Sequence, residues 1–471
     1  MQHGTISTTF SDDLTDTGNA KRFAMSAQDK LLYEASVGQW LIWDGARWTP
    51  KNAASFATVL AQENSLALER APNAADPESY RSRLNWAKVS RSLSKINATL
   101  TLASKEPDLR VPLLSFDQAK DTIYLQNGAL NLRRLAFTPA TPSQRNLKLA
   151  NAVWSIEAAA PKFSSFIEQI CCGDRELGEY LRVLIGYAAT GYTSEQALFV
   201  FLGDGANGKS TLLNIVASVL GDYASSFDFS YLLHSDKSNV RSLEMLASLD
   251  RVRLAHASEL PQDRRLNEAL VKKITGGDMI YASRLHASSF EFSPQFTPFL
   301  LTNHLPGIKD LGFGMRRRLK IVPFNATFNG KSQDLSLERY VLEHERAGVI
   351  RWIAEGANEW LKTESSLGSR LPRSTAVERA TVGYFREQAI LFRFLKETGK
   401  LHAGFRIGAS ELLSEYLSFL QAIGCYEQVT PKSLSTQMIS YGFSSKRISS
   451  GVVYVLERLP EALDELLVEA V

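Results

Sequence analysis

The stretch from Phe199 to Leu213, FVFLGDGANGKSTLL, restricts what this chain can fold into more than any other. The apolar run Ala197 to Leu202 reads as a buried strand, and it enters a loop carrying Gly203, Gly205 and Gly208. The loop leaves through Lys209, Ser210 and Thr211 into the helical pattern LLNIVASVLG. Strand, glycine loop and helix in that order match G-x-x-x-x-G-K-S/T. Glycines let successive backbone N–H groups curl around phosphate oxygens, and the N-terminus of the helix adds a partial positive charge. Lys209 is therefore expected to reach the β- and γ-phosphates of ATP and Ser210 to hold Mg²⁺. Gly203, Asp204, Gly205, Ala206, Asn207, Gly208 and Thr211 complete the expected nucleotide loop. A chance glycine turn before a helix would require neither the Lys-Ser pair nor both flanking elements.

A chain of 471 residues is too long for one ordinary core, so two to three domains of roughly 100 to 200 residues are expected. Its 53 Lys+Arg against 50 Asp+Glu leave a net charge of +3, too mild to declare a polyanion partner. A nucleic-acid site must then be a local basic feature. Cys171, Cys172 and Cys425 have no zinc or redox spacing, which fits a reduced intracellular compartment. No apolar run approaches a membrane span and the N-terminus lacks a signal-peptide core. A cytoplasmic protein without a membrane partner is the expectation.

Residues 1–15 are rich in Ser, Thr and Asp and read as a disordered tail, with order starting at TDTGNAKRF, where Asn19 or Asp16 can cap a helix. GQWLIWDGARWTP alternates around an Asp44-Gly45 turn and predicts a hairpin. Its Trp40, Trp43 and Trp48 suit a small core better than a base-stacking platform. Two helices are expected at about Ala53 to Ala71 and Pro77 to Ser104. In the second, Trp86, Val89, Leu93, Ile96 and Leu100 share one face, and Lys88, Arg91 and Lys95 the opposite one. That basic stripe suits a phosphate backbone or an ordinary solvated face equally. Val111 to about Trp154, with an Asn127-Gly128 turn, predicts a compact sheet, and Pro161 to Gly191 predicts helix.

Beyond the glycine loop, the apolar run Val252 to Ala257 ends in Ser258 and Glu259, where a carboxylate at a strand end can bind Mg²⁺ or polarise an attacking water. LNEALVKKITGGD and MIYASRLHASSFEF follow, then the strand FTPFLL closing on Thr302 and Asn303. Asn303 can sense the γ-phosphate or attacking water, or serve merely as a turn residue before His304-Leu305-Pro306. GMRRRLKIVPF sets Arg316, Arg317 and Arg318 before another strand, and three adjacent guanidiniums favour anion contact.

These motifs, taken in order, resemble superfamily 3 DNA helicases, and among them the phage and plasmid primase-helicase group related to the poxvirus replicative NTPase. TDTGNAKRF, WLIWDGARW, LQNGALNL and Pro161 to Gly191 extend the resemblance N-terminally, so that it covers about residues 15 to 460. It implies an α/β, AAA+-like P-loop ATPase core with a parallel sheet, a mixed α+β domain before it and a helical, winged-helix-like domain after it. It implies a homo-oligomeric ring, usually a hexamer, translocating on single-stranded and forked DNA by ATP hydrolysis. Lys209 and Ser210 become the Walker A pair, Glu259 the Walker B acid and Asn303 the sensor. An arginine of Arg317-Arg318 becomes a finger acting on a neighbour's ATP. Lys272, Gly276, Gly277 and Asp278 match the segment peculiar to this superfamily, and the following hairpin supplies the DNA-gripping loop. Leu260-Pro261-Gln262 replace further acids common after the Walker B residue, so Glu259 is expected to act alone. Where a tip lysine is common this chain has Arg284-Leu285-His286-Ala287, and Arg284 and His286 are the candidate DNA contacts. With about 15 residues ahead of the match, primer synthesis is expected from a separate primase or polymerase.

Residues 335–363 read as helical and Ser365 to Arg373 as a linker. Helices are expected at about Ala409 to Ile423 and at Pro431 to Ser440 behind a Thr430 cap. GFSSKRISSGVVYVLERL then reads as a wing with Lys446 and Arg447 at its turn, suited to duplex DNA or to a protein contact. The expected division is a tail (1–15), an N-terminal domain (16–160), the ATPase (161–335), a helical segment and linker (336–375) and a C-terminal domain (376–471). The rivals to a replicative helicase of a mobile element are a DNA-stimulated ATPase or origin-binding loader, a P-loop small-molecule kinase and a nucleotide-gated scaffold.

Overall fold

The computed structural model describes residues 13–71, 76–233, 240–258, 265–283, 289–308, 312–329, 333–364, 368–424, 429–449 and 451–457. Glu259 with 260–262, the 284–287 stretch carrying Arg284 and His286, and Cys425 lie outside the described residues. The chain forms two compact units, one of residues 1–158 with 219–223 and one of 159–218 with 224–471.

In the first unit α1 (Asp16–Ala27) precedes β1 (Leu31–Glu34), β2 (Gln39–Trp43) and β3 (Trp48–Thr49). The helices α2 (Ala53–Arg70), α3 (Pro77–Ser90) and α4 (Leu93–Ala103) follow, then β4 (Arg110–Val111). The strands form one sheet in the order β3-β2-β1-β4. The hairpin expected around Asp44-Gly45 is present, with Trp43 opposite Trp48. Its tryptophans are core: Trp48 is buried, Trp40 packs edge-on to Phe23 and Tyr33, and Trp43 lies against Trp48.

Two expectations here need correction. Thr15 caps α1, accepting from Gly18 N at 3.1 Å, whereas Asn19 is buried within the helix and donates to Ser90 Oγ at 2.9 Å. The long second helix is broken at Arg91-Ser92. The break changes the phase of its two halves, so Val89 and Leu93 are exposed while Ile96 is buried. The basic stripe is also not free: Arg91 pairs with Glu69 at 3.0 Å and Lys95 with Asp16 at 3.0 Å. A second sheet, β5 (Thr122–Leu125), β6 (Gly128–Asn131) and β7 (Ala136–Pro139), is antiparallel and turns at Asn127-Gly128.

The second unit opens with α5 (Pro161–Ile170) and α6 (Arg175–Ala188). Next come β8 (Leu198–Leu202), α7 (Lys209–Leu220), β9 (Ala224–Ser226), α8 (Val240–Ser248) and β10 (Leu254–Ser258). They are followed by α9 (Glu268–Thr275), the hairpin β11 (Ile280–Ser283) and β12 (Ser289–Phe292), β13 (Thr297–Thr302), α10 (Phe313–Arg316) and β14 (Leu319–Pro323). The result is a mixed α/β architecture around a five-stranded parallel sheet in the order β14-β8-β13-β10-β9. The central strand β13 is buried throughout, the pattern of a parallel strand covered on both faces. Because the strands are parallel, every loop after a strand gathers at one edge of the sheet.

The segment read as helical from 335 to 363 is α11 (Leu337–Tyr340), a π turn (Val341–Glu345) and α12 (Arg346–Lys362). The π turn delivers the buried Glu345 to the N-terminus of α5, where it accepts from Lys162 N at 3.0 Å and Phe163 N at 2.9 Å. α13 (Thr375–Gln388) lies against the sheet, with Tyr384 and Phe385 in the sheet's core.

α12 and α6 touch backbone to backbone. A Cβ on Gly186 would fall 2.1 Å from Ala357 N and 2.3 Å from Gly356 C. Gly186→Ala is expected to destabilise the chain by about 1–3 kcal/mol in urea unfolding, whereas Gly383→Ala, with nothing within 4 Å, should gain up to ~1 kcal/mol. Equal stabilities of the two variants would contradict the close helix contact.

Beyond α13 a separate core gathers α14 (Ile390–Glu397), β15 (Arg406–Gly408), α15 (Ala409–Ala422), α16 (Pro431–Ser440), β16 (Ser444–Ile448) and β17 (Gly451–Val455). Their sheet order is β15-β17-β16. Thr430 caps α16 as expected, accepting from Ser433 N at 3.1 Å. Lys446 and Arg447, expected at the hairpin turn, lie instead within β16, opposite Val453 and Val452.

Candidate nucleotide site

The glycine loop joins the C-terminal end of β8 to the start of α7, and its conformation explains its composition. Gly205, Ala206 and Gly208 have φ of +99°, +45° and +86°, left-handed values that turn successive N–H groups toward one side. A Cβ on Gly203 would fall 2.2 Å from Asn207 Nδ2 and 2.4 Å from Phe324 O. On Gly208 it would meet Ile170 Cγ2 at 2.5 Å. Only glycine fits either place.

Lys209 is the first residue of α7, and its side chain folds back under the loop. The buried ammonium donates to Gly203 O at 2.5 Å, Asn207 Oδ1 at 3.0 Å and Asn303 Oδ1 at 3.2 Å. Burial lowers its pKa from the ordinary lysine value, with Asp204 opposing. Three neutral oxygens hold a desolvated cation, which an incoming phosphate would compensate.

Asn303 follows the last residue of β13, and a local turn fixes it: His304 N donates to Thr302 Oγ1 at 3.1 Å. It is therefore a turn residue whose side chain also meets Lys209. Sheet order brings this about, since β13 is the immediate neighbour of β8. A cleft of about 720 Å³ is lined by Gly205 to Thr211, Ser258 and Leu301 to His304. Ser210 is exposed at the loop, and Ser258 ends β10, one residue before Glu259. The glycine cradle, its N–H groups, Lys209 and the Ser210 hydroxyl suit a nucleotide's phosphates with their divalent ion.

The other candidates lie elsewhere. Arg317 and Arg318 precede β14, whose Leu319 pairs with Leu198 at the beginning of β8. The glycine loop leaves the far end of β8, so five residues at roughly 3.3 Å each, about 16 Å, separate these arginines from their own loop. Neither makes an ion pair among the described residues. Arg317 Nη1 donates to Gln196 Oε1 at 2.5 Å, and Arg318 Nη1 to Gly314 O at 2.7 Å. Burial, with Arg317 beside it, lowers the Arg318 pKa from the usual arginine value. Lys272 lies on α9 near Gly314, and α9 leads through Gly276, Gly277 and Asp278 into the β11–β12 hairpin. Lys446 pairs with Glu457 at 3.3 Å, and Arg447 is exposed. Sequence reasoning missed Gln196, because no motif marks a glutamine in a turn before a strand.

Residues 20–172 match the family model described as D5 N terminal like. The chain is 27% identical over 315 residues to "Putative helicase L207/L206" of Acanthamoeba polyphaga mimivirus, covering 64% of this chain and 33% of that protein. It is 25% identical over 232 residues to "Putative helicase 184R" of Invertebrate iridescent virus 6, covering 47% of this chain and 24% of the relative. The chain thus spans a third or less of the length of these curated relatives. In fold it is similar to the A form apo structure of the NrS-1 C-terminal region, with a TM-score of 0.51 at 9% identity over 94% of this chain and 98% of that one. No described helix is long and apolar enough to cross a membrane. Through its N-terminal family model and its viral relatives, this chain is similar to the D5-like primase-helicases.

Proposed function

We propose that the chain is the ATP-driven motor of a superfamily 3 replicative helicase, in which a P-loop, AAA+-like core works as a homo-oligomeric ring on single-stranded DNA. The observation that carries this reading is the hydrogen bond from Lys209 to Asn303 at 3.2 Å across the loops after β8 and β13. It joins a phosphate-binding lysine to an amide at the tip of the neighbouring strand, where a γ-phosphate or its attacking water would be sensed.

The loop N–H groups and Lys209 hold the β- and γ-phosphates, and Asn303 orients the attacking water. Glu259, one residue beyond the end of β10, polarises that water. Ser210 with Glu259 would hold Mg²⁺, which would supply charge neutralisation on the phosphates. Arg317 and Arg318, too far from their own loop, serve the ATP of an adjacent subunit. The β11–β12 hairpin, with Lys272 on the helix before it and Arg284 and His286 in its connecting sequence, is the DNA contact. Lys446 and Arg447 in the winged-helix-like module form a second basic contact.

Strand displacement on a forked duplex tests the reading. ATP-dependent unwinding is expected, and it should vanish in Glu259→Gln while that variant still binds ATP. DNA-stimulated hydrolysis without displacement would favour a loader. Phosphorylation of a small acceptor without DNA would favour a kinase, and parental hydrolysis by Glu259→Gln would remove the acid from its role.

A further inference from the structure

Gln196 stands two residues before β8 with a φ of +50°, a conformation that side-chain-bearing residues adopt at a cost. A turn holds it there, its N–H donating to Thr193 O at 3.1 Å. Its side-chain amide is used at both ends. Nε2 donates to Gly276 O at 3.3 Å, and Oε1 accepts from Arg317 Nη1 at 2.5 Å. Gly276 begins the turn that carries the chain from α9 into the hairpin. One side chain therefore joins the base of the hairpin to the exposed arginine, from the strand whose other end bears the glycine loop.

The choice of an amide matters. A carboxylate would orient Arg317 but also neutralise it, whereas a neutral acceptor fixes the guanidinium and leaves its charge for an anion. The adjacent acid, Glu195, is engaged elsewhere: it accepts from Trp360 Nε1 at 2.7 Å, Ser369 Oγ at 2.6 Å and Arg370 N at 2.9 Å. Arg317 makes no ion pair among the described residues.

The geometry points to Gln196 as a positioning residue that couples the hairpin to Arg317, so that DNA on the hairpin sets the rate of ATP hydrolysis in the neighbouring subunit. This rests on the trans-acting role proposed for Arg317. A displacement of the hairpin base moves the Gly276 carbonyl, and the amide passes that movement to the guanidinium.

The test compares the full chain with Gln196→Ala, Gln196→Glu and Arg317→Ala, measuring kcat and KM for ATP with and without oligothymidylate. Gln196→Ala should lower the ratio of stimulated to unstimulated kcat by roughly 5-fold or more, with the KM for ATP little moved. Gln196→Glu keeps the acceptor for Arg317 but loses the donor to Gly276. By neutralising the guanidinium it should lower unstimulated turnover below that of Gln196→Ala and still lose stimulation, a split that a merely structural glutamine would not produce. If Gln196→Ala proves unfolded by its melting transition, the near-isosteric Gln196→Glu carries the test alone. Parental stimulation in the Gln196 variants while Arg317→Ala has lost turnover would overturn the coupling and leave the proposed function standing. Parental turnover in Arg317→Ala would overturn the role of Arg317 and the coupling with it.

Discussion

Lys209→Ala is expected to lower ATP turnover by roughly 10²–10³-fold, the loss typical when one preorganised donor to developing charge is removed. The lysine is buried, its ammonium is desolvated, and no other cation shares its three oxygen partners among the described residues. Its loss leaves the Asn207 and Asn303 amide oxygens facing the phosphates with no cation between them. Nucleotide affinity should fall as well, because charge compensation is lost in the ground state and in the transition state. Lys209→Met keeps the length of the side chain without its charge and should be as inactive as Lys209→Ala. Phosphate release, fluorescent-nucleotide titration and a melting transition near the parent's make up the measurement. Parental turnover in a folded Lys209→Met would remove the lysine from the chemistry.

Arg318→Ala should bind ATP but hydrolyse it roughly 10³–10⁵-fold more slowly, the range for trans-acting arginine fingers, and Arg317→Ala is its parallel. The physical ground is position. Arg318 sits where β14 begins, against the start of β8, while the glycine loop leaves the other end of that strand. An arginine at the opposite edge of a parallel sheet cannot reach its own loop's phosphates without taking the sheet apart. Mixing Arg318→Ala with Lys209→Ala should restore some turnover, because a mixed ring can hold an intact loop facing an intact finger. Subunits must exchange before ATP is added. Confirmed exchange with no recovery in any mixture, together with failure of Arg318→Ala to bind ATP, would assign the arginine to its own subunit's fold.

Much of the candidate site was legible because its conformation depends on residue type. The loop at 203–208 needs glycines for left-handed φ and for close approach, so the motif and the geometry are one fact seen twice. The Asp44-Gly45 hairpin and the Thr430 cap are likewise written in local turn and cap chemistry. Features that depend on distant partners were not legible. The exposure of Val89 and Leu93 across the break at Arg91-Ser92 reflects packing with other elements. The π turn at 341–345 follows from the placement of Glu345 over α5. Strand order, which brings Asn303 to Lys209, and parallel direction, which sets Arg318 at the other end of β8 from the glycine loop, are tertiary properties that periodicity does not encode.

The most direct measurement is ATP hydrolysis by the full chain with and without single-stranded DNA, made alongside its mass in solution with and without nucleotide. Hydrolysis should rise with DNA and the mass should be several times the 52.3 kDa of one chain, because on the proposed reading an arginine of a second copy completes each site. Full hydrolysis by a monomer, indifferent to DNA, would contradict it.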